Sequence, residues 1–61
     1  MNTNKLRELM REQNLTQVEL GEKINLGQEK ISMILNGKRG VKVQDFKAIC
    51  QTLNVAPEEL W

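Results

Sequence analysis

The sequence has few of the residues that carry enzymatic or metal chemistry. It contains no histidine and a single cysteine, Cys50, and its one serine is Ser32. A lone cysteine excludes an internal disulfide and a cysteine-based zinc site, and it is typical of a reducing compartment. We therefore predict no catalytic residue, no metal ion and no cofactor. Cys50 is expected to be a small buried hydrophobic side chain.

Aromatic residues and long apolar segments are scarce as well. Phe46 and Trp61 are the aromatic residues, so aliphatic side chains must form the core. No apolar run comes near the roughly 20 residues that span a bilayer, and charges interrupt the N-terminus where a signal peptide would be apolar. A chain of 61 residues makes one domain, residues 1–61, with no room for a second, ligand-sensing domain. We expect a small cytoplasmic protein.

Basic and acidic side chains are unevenly distributed along a chain whose formal net charge is +1. Residues 1–22 hold three basic and four acidic side chains, residues 23–47 hold six and two, and residues 48–61 hold none and two. The three segments therefore carry net charges of −1, +4 and −2. A basic segment of this kind is typical of a nucleic-acid-binding surface, and taken alone it also fits an ordinary solvated face.

The apolar periodicity predicts an all-α domain of five short helices. The first runs from about Asn4 to Gln13 with Thr3 as its cap, and the second follows the capping box formed by Thr16 and Glu19. The remaining helices are predicted at residues 28–35, 43–53 and 57–60, the last with proline at its first position. Glycine inside a helix costs about 1 kcal/mol relative to alanine, so Gly21 predicts the close approach of another helix.

The second and third helices are separated by three residues, Asn25-Leu26-Gly27, and so form a helix-turn-helix unit. Helical spacing places the apolar residues of the third helix on one face, which leaves a polar face with a single apolar tip. Amides pair with adenine edges, carboxylates with cytosine amino groups and apolar tips with thymine methyls in the major groove. The residues of this polar face are Gln28, Glu29, Ser32, Met33 and Asn36.

A longer pattern surrounds this unit. It consists of LTQVELGEKI at residues 15–24, then Gln28, Ile31-Ser32, Ile34 and Asn36-Gly37-Lys38-Arg39. It continues without gaps through Val43–Leu53 and Val55–Leu60, and so covers nearly the whole chain. This pattern resembles the lambda-repressor and Cro-like helix-turn-helix family of phage and bacterial regulators.

The resemblance implies a compact five-helix domain that binds operator DNA as a two-fold dimer and represses or switches transcription. It implies that Gln28, Glu29, Ser32 and Met33 contact bases. The resemblance and the surrounding positive charge together assign contacts with the DNA backbone to Thr16, Gln17, Lys30, Asn36, Lys38, Arg39 and Lys42. The partners implied are double-stranded DNA and a second copy of the chain.

The sequence departs from the family pattern at several positions. Gly27 and Lys42 stand where small polar caps are usual, which predicts weaker starts for the third and fourth helices. Asn25 replaces a common turn glycine at little cost. Glu29 and Met33 occupy places often held by Gln, Ser or Arg, so a relative's operator does not predict the operator of this chain.

The sequence is also compatible with two other functions and with two placements of Trp61. An antitoxin that binds its operator together with a partner protein is the alternative to a stand-alone repressor. General acid–base catalysis would depend on Glu58 and Glu59, but their place beside Pro57 at a helix start explains them as partners of the helix dipole. Trp61 either packs on Leu60 and the bundle or projects with Leu60 as part of a dimer contact.

Overall fold

Five α-helices joined by short turns make up the computed structural model, which describes residues 1–61 and contains no β-strand. They are α1 (Thr3–Glu12), α2 (Gln17–Ile24), α3 (Gln28–Leu35), α4 (Val43–Leu53) and α5 (Pro57–Leu60). The all-α prediction is therefore confirmed. No helix combines the length and the apolar character that crossing a membrane requires.

The start of α1 corrects the prediction. The helix begins at Thr3 rather than Asn4, and its cap is Asn2, whose Oδ1 accepts a hydrogen bond from the Lys5 N–H at 3.0 Å. It ends at Glu12, so Gln13 is the residue after the helix. The Asn2 N–H donates to the carbonyl of Leu60 at 2.7 Å, and this long-range bond helps to hold Asn2 in the extended conformation of a cap.

The turns use asparagine and glycine in left-handed backbone conformations. Asn14, Asn25 and Asn54 follow α1, α2 and α4 with φ of 54°, 62° and 57°, and Gly37 follows α3 with φ of 71°. These residues satisfy the last helical carbonyls without a large steric cost. The predicted capping box of α2 is present, because Thr16 Oγ1 accepts from the Glu19 N–H and Glu19 Oε1 from the Thr16 N–H.

The core is aliphatic with one aromatic ring, as predicted. Helix α2 packs against α3 and α4, while α1 packs against α3 and α5 and thereby closes the bundle. The buried cluster consists of Leu6, Leu9, Met10, Leu20, Ile31, Leu35, Phe46, Ile49, Cys50, Leu53 and Leu60. Ile24 and Leu26 are half-buried against it. The third helix is thus fixed by its apolar face and leaves its polar face free.

Gly21 has a different close neighbour from the one predicted. A Cβ atom at this position would overlap the main-chain carbonyl oxygen of Leu26, in the turn, and would touch Ile31 Cγ1 at 3.5 Å. The predicted approach of another helix is present through Ile31 of α3, but the closest neighbour is the turn. The turn itself folds back onto α2, and the Leu26 N–H donates to the Gly21 carbonyl at 2.8 Å.

Candidate nucleic-acid interface

The polar face of α3 is open to solvent. Gln28, Glu29 and Lys30 are exposed, and Met33 exposes 43% of its surface. The opposite face is buried through Ile31, Ile34 and Leu35. An exposed thioether in the middle of a polar face is unusual for a solvated surface, and its soft apolar tip suits contact with a thymine methyl.

Ser32 is less accessible than the other residues of the face. Its side chain is half-buried, because on a helix of about 3.6 residues per turn it lies between the exposed face and the buried Leu35. The hydroxyl therefore lies at the edge of the face. Asn36, one turn further on, is exposed, and its Nδ2 donates to Ser32 Oγ at 3.4 Å.

Arg7 of α1 contacts the end of α3, and sequence analysis missed it. Its Nη2 donates to the carbonyl of Leu35 at 3.1 Å and to Asn36 Oδ1 at 2.9 Å. A cation at a helix C-terminus is favourable because the last carbonyls are partly negative. The partners lie 28 and 29 residues away in the chain, so no local pattern indicates the contact.

A basic groove lies at the start of α2. Thr16 and Gln17 line it together with Arg7 and Arg11, around a volume of about 270 Å³. Thr16 is exposed and Gln17 half-buried. The spacing of Arg7 and Arg11 by four residues places both on one face of α1, a signal that was available in the sequence. The structure thus brings two cations beside Thr16 and Gln17, which the sequence predicts to contact the DNA backbone.

The basic loop after α3 divides into exposed and half-buried positions. Lys38 is exposed, and its N–H donates to the carbonyl of Met33 at 2.9 Å. Arg39 is half-buried and lines a small hollow of about 120 Å³ with Ile34 and the N-terminal residues of the chain. Lys42 is exposed at the start of α4. Arg39 and the two arginines of the groove at α2 therefore line different hollows.

The helix starts differ in how their N–H groups are satisfied. As predicted from Gly27 and Lys42, neither α3 nor α4 has a side-chain cap. At α2, hydrogen bonding by the Thr16 N–H, and then by its side chain, lowers the pKa of Glu19 below its ordinary value of 4.5. Glu19 is therefore ionised at neutral pH. Its charge lies close to Thr16 and partly offsets the positive end of the α2 dipole.

A separate apolar groove is formed by α4, α5 and the N-terminus. It has a volume of about 490 Å³, and Val41, Val43, Phe46 and Trp61 are among its lining residues. The rings of Phe46 and Trp61 meet edge to face with centroids 5.7 Å apart. Trp61 nevertheless exposes 85% of its surface and Val43 exposes 72%. Leu60 is fully buried, so it does not project with Trp61.

Comparison with known proteins gives one match. A family model described as helix-turn-helix matches residues 6–60, which is almost all of the chain. No curated protein and no solved structure matches the chain at a significant level. The matched range includes all of α2 through α5 and the larger part of α1.

Proposed function

Because the chain belongs to the helix-turn-helix family of lambda-repressor and Cro-like DNA-binding regulators, we propose that it is a repressor that binds an operator in double-stranded DNA. The observation that carries this proposal is the exposed polar face of α3. That face follows a tight turn and is held over an apolar face that is buried in the core. A short helix with this arrangement fits the major groove.

The residues of α3 supply different kinds of base contact. Gln28, at the first position of the helix, carries an amide that can pair with two atoms of an adenine. Glu29 can accept from a cytosine amino group, and Met33 can lie against a thymine methyl. Ser32 lies at the half-buried edge and has a hydroxyl within reach of one neighbouring base.

The contacts with the DNA backbone are proposed to come from two groups. Thr16, Gln17 and Asn36 offer polar side chains beside α1, and the cations are Lys30, Lys38, Arg39 and Lys42. Phosphate contacts of this kind hold a protein in register on the duplex without reading its sequence. Arg39 is half-buried, whereas Lys38 and Lys42 are exposed.

We propose that two copies bind a palindromic operator. The Cα atoms span at most 24 Å, whereas half-sites lie about 34 Å apart, so one copy cannot reach both. The apolar groove with Trp61 is suited to a two-fold contact, because Lys47 lines it and Glu58 lies beside Trp61. In an isologous interface each lysine would face the partner's glutamate.

Selection from randomised duplexes tests the proposal. We expect the wild-type protein to enrich a palindromic or near-palindromic site. Gln28→Ala should weaken binding to that site by about 1–3 kcal/mol per half-site and relax the preference at one base pair. Arg39→Ala is the matched control and should weaken binding to selected and scrambled duplexes alike, because phosphates carry no sequence. If Arg39→Ala alters the base preference and Gln28→Ala does not, the reading surface is elsewhere.

The apolar groove also gives a test of the alternative function. Trp61→Ser should reduce cooperative binding to the palindrome while leaving affinity for a single half-site unchanged. If instead the wild-type protein binds DNA as a complex with a different small protein, and Trp61→Ser releases that protein, the chain is an antitoxin rather than a stand-alone repressor.

A further inference from the structure

The contact of Arg7 with Asn36 determines which group Asn36 presents to the outside. An asparagine amide has an acceptor oxygen and a donor nitrogen on opposite sides. The guanidinium of Arg7 can only donate, and it donates to Asn36 Oδ1 at 2.9 Å. The oxygen is therefore turned towards α1, and the NH2 group is turned towards the face of α3.

Asn36 in turn acts on Ser32. One N–H of the Asn36 amide is directed at Ser32 Oγ, at 3.4 Å. A serine inside a helix often donates its hydroxyl hydrogen to the carbonyl four residues before it, which here would be that of Gln28. The Ser32 hydroxyl makes no such bond and accepts from Asn36 instead. A hydroxyl that already accepts a hydrogen bond becomes a better donor.

We propose that Arg7 is a positioning residue for DNA specificity. By orienting the amide of Asn36, it makes the side of α3 that carries Ser32 and Asn36 present hydrogen-bond donors to DNA. This proposal rests on the proposed DNA-binding function. Such an edge pairs with the acceptors that bases present in the major groove, which are guanine O6 and N7, adenine N7 and thymine O4. The donors of this edge do not pair with the amino group of cytosine, which only the remaining lone pair of the Ser32 hydroxyl could accept from.

Arg11 provides the matched control. It lies one turn after Arg7 on α1, is equally exposed and lines the same basic groove. Its guanidinium makes no hydrogen bond to α3, whereas that of Arg7 makes two. Replacing either arginine with glutamine removes the same charge. An effect of charge alone would be similar in the two variants, and an effect through Asn36 is confined to Arg7.

The experiment measures affinity for three kinds of duplex: the one that wild type selects, the same duplex with single base-pair changes, and a scrambled one. We expect Arg7→Gln to reduce the ratio of selected to scrambled affinity about tenfold. Arg11→Gln should change both affinities by the same factor, so the ratio stays unchanged. If the edge reads a base, Arg7→Gln and Ser32→Ala lose preference at the same base pair. If Arg7→Gln instead weakens binding to the selected and the scrambled duplex alike, the edge meets a phosphate, which carries no sequence, and the inference is overturned.

A double-mutant cycle shows whether the two residues act together. The effects of Arg7→Gln and Ser32→Ala should not add, because both interrupt the same chain of hydrogen bonds. The cycle of Arg11→Gln with Ser32→Ala should be additive. Additive losses in the first cycle, with wild type still selecting a site, overturn this inference and leave the proposed function standing. If wild type enriches no site, both are overturned.

Asn36→Asp covers the case in which Arg7→Gln unfolds the domain. The carboxylate keeps a partner for Arg7, so the fold is retained, but it cannot donate to Ser32 or to DNA when ionised. We expect this variant to lose the same preference as Ser32→Ala. The added negative charge lowers affinity for every duplex, so the preference is compared among duplexes for the same variant, and a gain at cytosine is assigned to the new carboxylate. A variant that keeps the full wild-type preference would show that the donor edge is not used.

Discussion

Gly21 lies where the turn between α2 and α3 folds back onto α2. An added methyl group would overlap the carbonyl oxygen of Leu26, which belongs to the main chain and cannot rotate away. We expect Gly21→Ala to lower the free energy of unfolding by about 1–3 kcal/mol, although alanine favours a helix by about 1 kcal/mol. Gly40→Ala is the control, because a methyl group there meets open space. Urea denaturation followed by circular dichroism measures both, and a Gly21→Ala protein as stable as wild type contradicts the prediction.

Cys50 is buried in the core as the apolar stripe of α4 predicts. Burial raises the pKa of its thiol above the ordinary value of 9.0, and the charges of Glu58 and Glu59 raise it further. In the unfolded chain the thiol ionises at a lower pH than in the native protein. The stability gained from the native thiol is therefore present below the unfolded pKa and is lost as the pH rises above it.

We expect the free energy of unfolding of wild type to fall more steeply between pH 8 and 10, the range around the ordinary thiol pKa of 9.0, than that of Cys50→Ala. The comparison concerns the slopes, since the alanine variant also loses packing at every pH. In the same range, a thiol reagent should react slowly with the native protein and quickly in urea. Equal slopes for the two proteins would mean that Cys50 reaches solvent in the folded state.

At the scale of elements, α1 and the residues beside it hold the ends of three other helices. The Asn2 N–H donates to the carbonyl of Leu60 in α5 at 2.7 Å. Arg7 donates to the carbonyl of Leu35 in α3. Gln13 Nε2 donates to the carbonyl of Leu53 in α4 at 2.8 Å. The last carbonyls of a helix have no partner within it, so these donors satisfy groups that would otherwise need water.

Gln13 provides a clean test of this role. Gln13→Ala leaves the carbonyl of Leu53 without its partner and should cost about 1 kcal/mol. For a domain of this size that lowers Tm by about 4–8 °C. Gln51→Ala is the control, because Gln51 is also an exposed glutamine near the end of α4 but makes no side-chain hydrogen bond. A shift in Tm that is no larger for Gln13→Ala than for Gln51→Ala would remove Gln13 from the elements that hold α4.

The same contacts explain how much of the structure the sequence predicts. The bounds of α3 and α4 were predicted correctly, because spacing, capping and turn residues are local signals. The start of α1 was not, since Thr3 and Asn2 are both capable caps and a contact with Leu60 favours Asn2. The exposed face of α3 also followed from helical spacing. The contact of Arg7 with the end of α3 was not predicted, because its partners are 28 and 29 residues away in the chain. A local pattern does not show which cation caps α3.

At the scale of the whole molecule, the arrangement of charge matters more than its total. A net charge of +1 gives little long-range attraction to DNA, whereas residues 23–47 hold six basic and two acidic side chains. The structure also places Arg7 and Arg11 of α1 beside the start of α2. Binding should therefore depend on close contacts with phosphates and be strongly sensitive to salt.

The salt dependence can be predicted from the cations of the proposed interface. Lys30, Lys38, Arg39 and Lys42 of two copies would neutralise roughly eight phosphates, so log affinity should fall against log salt with a slope near −7, at about −0.9 per phosphate. Replacing Lys38 and Arg39 with glutamine removes four charges per dimer and should bring the slope to about −3.5. Lys23→Gln is the control, since Lys23 lies in the last turn of α2, about 9 Å along the helix from Gln17, and should leave the slope unchanged.

Titration of the selected duplex at several salt concentrations gives all three slopes. A wild-type slope shallower than about −2, or a change with Lys23→Gln as large as with the loop variant, would mean that the basic loop is not the surface that meets the phosphates.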